Sequence, residues 1–485
     1  MEEIITYEEV INQHTSEIVG AVIEAVKEIE NNPAAILSRL TGGLDEKLNE
    51  LGKDLVCKAL ENMENEIYES DERLSEGWTS HKKNQSKTLT TIFGQIEYER
   101  RYYERKKENS DQKEYTYLVD DLFGIERHQK MGALVETRMI DLAAENAYAY
   151  SGMMAAYDTK FTDTTVMNKV HQLDDLEDKL SAKKEGNQKK AVDVLYIEAD
   201  EDHISLQNGE NTISRLVYVH EGYKDSAFSE DGKRRELKNV QYITGRYKES
   251  EEIWLKVLDY IYNNYHLDEI DKIFIGGDGA PWIKEGLGWI KGSKFVLDQY
   301  HLNKYIMSAT AHMSDYRFRL WNALHDLNKS RVSKLFSELI LEAEDEKRKE
   351  RIRKARYYIY RQWEGIRNYI EDEDAINPSA EAHVSHVLAD RLSSRPLGWS
   401  LIGMDRMSKL RAFKFNGGSS KDILELIEGR KKKKKKRNLI EKMTAKKPSH
   451  SLLKNKYGEK KENVPVLKRG KKNGSFQAVN CLAYN

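Results

Sequence analysis

A chain of 485 residues exceeds the roughly 250–300 residues at which a single core stops growing, so several structural units are expected. With 39% apolar and 33% charged residues, 27 Tyr, 7 Trp and 6 Pro, it is too aromatic for a wholly disordered chain and too poor in proline for a loop-rich all-β one. The distant Cys57 and Cys481 exclude a CxxC knuckle or disulfide framework, no apolar run is long enough to span a membrane, and the acidic start Met1-Glu2-Glu3 is no leader, so a cytoplasmic protein without a membrane partner is expected.

In residues 1–75, Ile18, Val19, Val22, Val26 and Ile29 recur at helical spacing, and Leu40, Leu44, Leu48, Leu51, Leu55 and Leu60 continue the pattern to about Tyr68. This predicts a helical hairpin suited to homo-oligomer formation. Over 76–180 the pattern changes. Leu89 to Tyr98 and Arg100 to Tyr103 are β-branched and aromatic around Gly94, the mark of a β-hairpin. Arg100, Arg101 and Arg105 on its second strand either meet phosphate or form a solvated face. Helical segments at 145–157 and 163–173, with Thr162 or Asp163 as N-cap, suit a helix-turn-helix; Lys169 on the second is a candidate DNA contact. The Lys-rich stretch 180–190 reads as a linker.

From 190 to 301 strands dominate. Val192 to Ile197 runs into Glu198-Ala199-Asp200-Glu201-Asp202, and an Asn208-Gly209 turn leads back through Ile213 to Val219. Gln241 to Gly245 is a third strand, Glu251 to Tyr265 a helix, and Lys272 to Gly277 a buried strand ending in the Gly-flanked Asp278. A last strand ends at Asp298. The order β-β-β-α-β-α-β describes a mixed sheet with helices on its faces. Residues 302–375 read as helices, with Phe318, Trp321, Leu324 and Leu327 on one core stripe and Ile352, Ile359, Trp363, Ile366 and Ile370 on another. Over 376–420, a helix opened by Ser379 carries Glu381 and ends near Asp390. The formal net charge of −2 hides a division: Arg430 to Asn485 holds 19 lysines and arginines against three glutamates, a net of +16, and the other 429 residues sum to −18. That tail, 430–485, is expected to be disordered and to bind polyanions without reading sequence.

Carboxylates on rigid strands can be aimed at a metal. Asp200 and Asp278, read as strand-end acids, with a third acid from a later helix, offer the oxygen shell that Mg²⁺ or Mn²⁺ prefers. Two such ions serve in-line phosphoryl transfer. Asp202 is a further candidate, since strand alternation points it to the same face as Asp200. Asp298 with His301 can stand beside the site, and either Glu381 or Asp390 can supply the third acid. Each acid taken singly is equally a turn or helix cap.

The strings Tyr196-Ile197-Glu198-Ala199-Asp200-Glu201-Asp202-His203, Ile275-Gly276-Gly277-Asp278-Gly279-Ala280-Pro281-Trp282-Ile283 and Phe295-Val296-Leu297-Asp298-Gln299-Tyr300-His301, together with the block from Glu381 through Arg391-Leu392-Ser393-Ser394-Arg395-Pro396-Leu397-Gly398-Trp399, resemble the ISLre-type insertion-sequence transposases of bacteria. These are related to the Mutator-like DDE transposases. The resemblance implies a mixed α+β and α/β fold: a mainly helical N-terminal region, then an RNase H-like core carrying an all-helical insertion at 302–375. It matches Asp200, Asp278 and Glu381 to the family's metal-binding acidic triad, and Arg391 and Arg395 to a basic pair that holds phosphate. The implied partners are double-stranded DNA, as terminal inverted repeats and target, in a nucleoid-associated protein. Two other readings stay open: a structure-specific nuclease on the same core, and a non-catalytic DNA-binding protein derived from a transposase.

Overall fold

The computed structural model describes residues 7–27, 36–107, 111–173, 176, 189–224, 236–311, 313–394 and 398–430. The described residues fall into two units: those up to Gln172 with 420–430 form unit 1, and those from Leu173 to Ser419 form unit 2. The basic tail beyond Arg430, Arg395, and most of the 180–190 linker lie outside the described residues.

Unit 1 opens with helices α1 (Tyr7–Lys27) and α2 (Ile36–Glu69), joined by His14 Nε2 and Asp54 Oδ2 at 2.8 Å. The predicted stripe is only half used: Ile18 and Val22 are partly covered, whereas Val19 and Val26 are exposed. After α3 (Asp71–Ser75), strands β1 (Thr79–Thr91), β2 (Gly94–Lys106) and β3 (Lys113–Thr116) make an antiparallel sheet in that order. Leu89, Ile96 and Tyr98 share a core with Leu60 of α2 and with Val119 on the short helix α4 (Leu118–Leu122). Helices α5 (Ala133–Glu145), α6 (Tyr148–Met154) and α7 (Asp163–His171) follow. Thr162 caps α7, its Oγ1 accepting from Thr165 N at 3.2 Å. A helix at 420–430 returns to this unit with Ile423 and Ile427 buried; it is tied by Ser420 to Asp141 and by Arg430 Nη1 to the Gln172 carbonyl at 3.0 Å.

Unit 2 is built on a five-stranded sheet in the order β6-β5-β4-β7-β8. Its strands are β4 (Val194–Ser205), β5 (Asn211–His220), β6 (Gln241–Gly245), β7 (Lys272–Gly277) and β8 (Lys294–Leu297). The first three are antiparallel, and β7 and β8 run parallel to β4. Alternation along β4 sends Leu195, Ile197 and Ala199 into the main core, opposite Glu198, Asp200 and Asp202. Helix α8 (Ser250–Asn264) covers the core face with Ile253, Trp254, Val257 and Ile261. Past the short α9 (Pro281–Lys284) and α10 (Gly286–Trp289), five helices span the predicted insertion: α11 (Gln299–Ala309), α12 (Ser314–His325), α13 (Lys329–Glu342), α14 (Glu346–Arg361) and α15 (Trp363–Glu371). Leu302, Leu320, Phe336, Ile352, Ile359 and Ile366 from these helices join the same core cluster as the sheet. The expected Phe318 stripe is displaced: Phe318 is 70% exposed, and Tyr316, Leu320, Ala323 and Leu324 form the buried face. Helix α16 (Ala380–Val384) continues through a π-helical turn at Ser385–Ala389 into Asp390–Leu392, and α17 (Leu401–Phe415) packs on β6 and β5.

Candidate active site

Strand register brings Asp200 and Asp278 level. Glu198 on β4 pairs with Gly276 on β7 as their last registered pair, and each aspartate lies two residues beyond it. Asp200 is therefore not at a strand end as expected. β4 continues to Ser205 against β5, and it is the parallel neighbour β7 that stops. Neighbouring strands lie about 4.8 Å apart, so the two aspartates arise at one level of the sheet, near enough for the Asp278 charge to act on the Asp200 carboxyl.

Each is oriented by its own backbone. Asp200 Oδ1 accepts from Glu201 N, and Asp278 Oδ1 from Ala280 N, both at 2.8 Å. The Asp278 loop is held from the helical side as well: Tyr358 Oη donates to the Asp278 carbonyl at 2.6 Å and Gln362 Nε2 to the Gly279 carbonyl at 3.1 Å. Gly279 has φ +85°, and a Cβ there would lie 2.2 Å from Gln362 Nε2, so both conformation and space call for glycine.

Asp298 caps α11, its Oδ1 accepting from Tyr300 N at 2.9 Å while Oδ2 meets His301 Nδ1 at 2.9 Å. Glu381 on α16 completes a group in which ligand atoms of Asp298, His301 and Glu381 all lie within 4.8 Å of one another. The hydrogen bond with Asp298, supplemented by the Asp278 and Asp200 charges, holds the His301 pKa above its ordinary value. Burial, with the Asp278 charge adding to it, pushes the Asp200 carboxyl up to about 6. A cation among these groups would relieve that cost. The carboxylates are the oxygen donors that Mg²⁺ or Mn²⁺ prefers, and His301, bonded to Asp298, stands beside them.

Asp202 takes another course: it is buried, and Ser393 Oγ donates to its Oδ1 at 2.8 Å. Asp390 is near His386 Nδ1, at 3.5 Å, and like Asp200 and Asp278 it is not one of the Asp298, His301 and Glu381 group. Composition and spacing gave no notice of Glu198. Fully buried, it accepts from Tyr218 Oη and from the Ser379 backbone N–H at the head of α16, and meets His220 Nε2 at 3.0 Å. Its pKa is lowered, the hydrogen bonds outweighing burial. Gly222 N donates to His220 Nδ1, so His220 gives its Nε2 proton to Glu198. The signal available was an acid in phase with Asp200 on the same strand.

Of the arginines and the lysine expected to meet phosphate, Arg395 lies outside the described residues and the others make contacts within the protein. Arg100 falls in phase with the inward Ile96 and Tyr98, pairs with Asp120 and lies 3.6 Å from the Tyr117 ring centroid. Arg101 donates to Asn65 Oδ1 at 3.1 Å and lies over Tyr68. Lys169 pairs with Glu136 at 2.7 Å. Arg391 is buried with its guanidinium over Trp399. Period-2 and period-3.6 placement decided these orientations, which residue type alone does not reveal.

Residues 31–435 match UPF0236, described as an uncharacterised protein family, and the chain belongs to that family. A UPF0236 protein of Caldanaerobacter subterraneus subsp. tengcongensis is 41% identical over 480 residues, covering 99% of this chain and 98% of its own, and its name joins four loci, from TTE0610 to TTE2432. Another from that organism, 40% identical with the same coverage, joins eleven, from TTE0033 to TTE2212. A Streptococcus gallolyticus relative, "UPF0236 protein in vanSb 3′region", is 24% identical over 79% of this chain and 83% of its own. Among solved structures, a chain of the Drosophila P element transposase strand transfer complex aligns with 62% of this chain and 82% of its own, at 9% identity and a TM-score of 0.23, too low to establish a shared fold. No described helix is long and apolar enough to cross a membrane.

Proposed function

We propose that this protein is the DNA transposase of an insertion sequence of the ISLre type, cutting at the ends of its element and joining them to target DNA on an RNase H-like core. The observation that carries this reading is Asp200 and Asp278 level on adjacent parallel strands of a sheet whose order, in core strand numbers, is 3-2-1-4-5 with the second strand antiparallel. Glu381 approaches from a later helix beside Asp298 and His301. Relatives carried at four and at eleven loci of one genome are what a self-copying element leaves behind.

Asp200, Asp278 and Glu381 would hold Mg²⁺ or Mn²⁺, with Asp298 and His301 beside them. When bound, divalent cations supply activation of the attacking oxygen and charge neutralisation at the leaving one. The chain's own groups hold the geometry. Glu198 fixes the head of α16 and hence the approach of Glu381, while Tyr358 and Gln362 fix the loop of Asp278. In cleavage, a water oxygen bonds to the scissile phosphorus, the P–O3′ bond breaks, and the 3′-oxygen departs to become a hydroxyl. In joining, that hydroxyl loses its proton and attacks a target phosphodiester, whose 3′-oxygen leaves and is protonated, so the number of P–O bonds is conserved.

A donor plasmid carrying this gene with its flanking DNA, incubated with purified protein and Mg²⁺ or Mn²⁺, should yield cut and joined products. Asp278→Asn should abolish them. Full activity in Asp278→Asn, or no cut product from folded wild-type protein, overturns the reading. Cut ends without joined products would favour a nuclease.

A further inference from the structure

The Asp278 loop forms one wall of a cleft of about 570 Å³ whose other wall is α14, with Tyr305 of α11 beneath. Helix α14 is the most cationic in unit 2, with eight lysines and arginines against two glutamates, and it buries only Ile352, Ala355 and Ile359. Its charge therefore faces outward, and Arg353, Lys354 and Arg361 line the cleft. Arg361 makes no ion pair with a described residue, Lys354 has Glu350, also on the lining, at 3.9 Å, and Arg353 has the exposed Glu346 at 3.4 Å and Glu350 at 3.9 Å, so the lining keeps an excess of positive charge on this helix. Tyr357, also on the lining, is 68% exposed, a large aromatic ring left in water at the cleft mouth. Tyr358 stacks on Tyr305 at 3.8 Å between centroids and bonds the Asp278 carbonyl, so the cleft wall is tied directly to the candidate catalytic loop.

We propose that this cleft binds a single DNA strand leading to the scissile phosphate, with Arg353, Lys354 and Arg361 on its phosphates and Tyr357 stacked on an unpaired base. The inference rests on the transposase reading for what lies at Asp278. Its own chemistry is that of strand recognition: a cationic groove that follows the backbone and an aromatic face that accepts any base. A duplex of rigid width has no free base to offer Tyr357, so the cleft selects frayed or forked ends.

The test is binding of a forked duplex, with 5-iodouracil at the first unpaired position, to the full chain without divalent cation. Ultraviolet crosslinking should map to Tyr357 and be absent on the blunt duplex. Tyr357→Ala should weaken fork binding about fivefold or more, the loss of one stacked base. Arg361→Gln should lower the salt slope by about 0.7, the loss of one single-strand phosphate contact. Both side chains are exposed, so neither change threatens the fold. No fork-dependent crosslink at Tyr357, or wild-type affinity and slope in both variants, overturns the proposal. These readouts need no cleavage: plasmid cutting with no crosslink would sink the cleft and spare the transposase reading, and the converse result would do the reverse.

Discussion

Asp278 owes its position to a residue that has no side chain. Replacing Gly279 by alanine forces a Cβ into Gln362 and a side chain into the left-handed region. Gly279→Ala is expected to lower unfolding stability by about 1–3 kcal/mol in urea titration. Glu198 is a second residue on which the geometry depends, here through its side chain. Glu198→Ala leaves His220 and the Ser379 N–H without their acceptor inside the fold and Tyr218 with Ser379 Oγ alone, and a loss of about 1–3 kcal/mol is expected for each buried donor left unsatisfied. Glu198→Gln, which keeps an acceptor oxygen, should cost less; equal losses in the two variants would show that packing alone matters there. Neither residue announced its role in the sequence, since each depends on a partner 80 or more positions away or on the far side of a turn. Asp200 and Asp278 were legible because apolar runs and glycines frame them.

At the scale of elements, the end of α15 is fastened to the starts of β7 and β8 by Asp372, which takes Lys272 Nζ at 2.7 Å and Lys294 Nζ at 2.8 Å. These two lysines hold the Asp372 carboxyl down at about 2. A depressed carboxylate contributes stability above its unfolded pKa of about 3.9 and loses it as pH falls through its folded value. The wild-type urea midpoint should therefore drop between about pH 4 and pH 2 more steeply than that of Asp372→Asn; parallel curves would refute the assignment. The succession of strands along unit 2 was readable because they are apolar and their turns carry Asn-Gly or glycine, whereas their order in the sheet was not. The first half of β1, Thr79 to Lys87, was not, since His81, Lys82, Lys83 and Asn84 are exposed and give no alternating signal. Phe318 misled because an aromatic at helical spacing reads as core, whereas packing placed Leu320 and Ala323 inward instead.

For the whole molecule, charge location matters more than net charge. Besides the basic tail, α14 carries a cationic face inside a unit whose remaining surface is rich in acids. Arg100, Arg101 and Lys169 on unit 1 have partners within the protein, and α14 adds a second cationic surface to the expected DNA footprint. Removal of residues 431–485 should weaken binding to every DNA and flatten its salt dependence while leaving the Tyr357 crosslink in place. A chain ending at residue 419 is a different matter. It lacks Ile423 and Ile427, each worth about 1.5–3 kcal/mol when buried, so hydrogen exchange should quicken in unit 1 and not in unit 2.

The return of 420–430 to unit 1 also sets an order in time. The ribosome delivers residues 7–172 first, then all of 173–419, and only afterwards the helix that fills the last of unit 1's interior. At about 5–20 residues per second that interval is roughly 12–50 s. Throughout it the N-terminal unit lacks its last helix while unit 2 is completed, so a premature stop just after residue 419 releases a chain whose unit 2 is whole and whose unit 1 still misses Ile423 and Ile427.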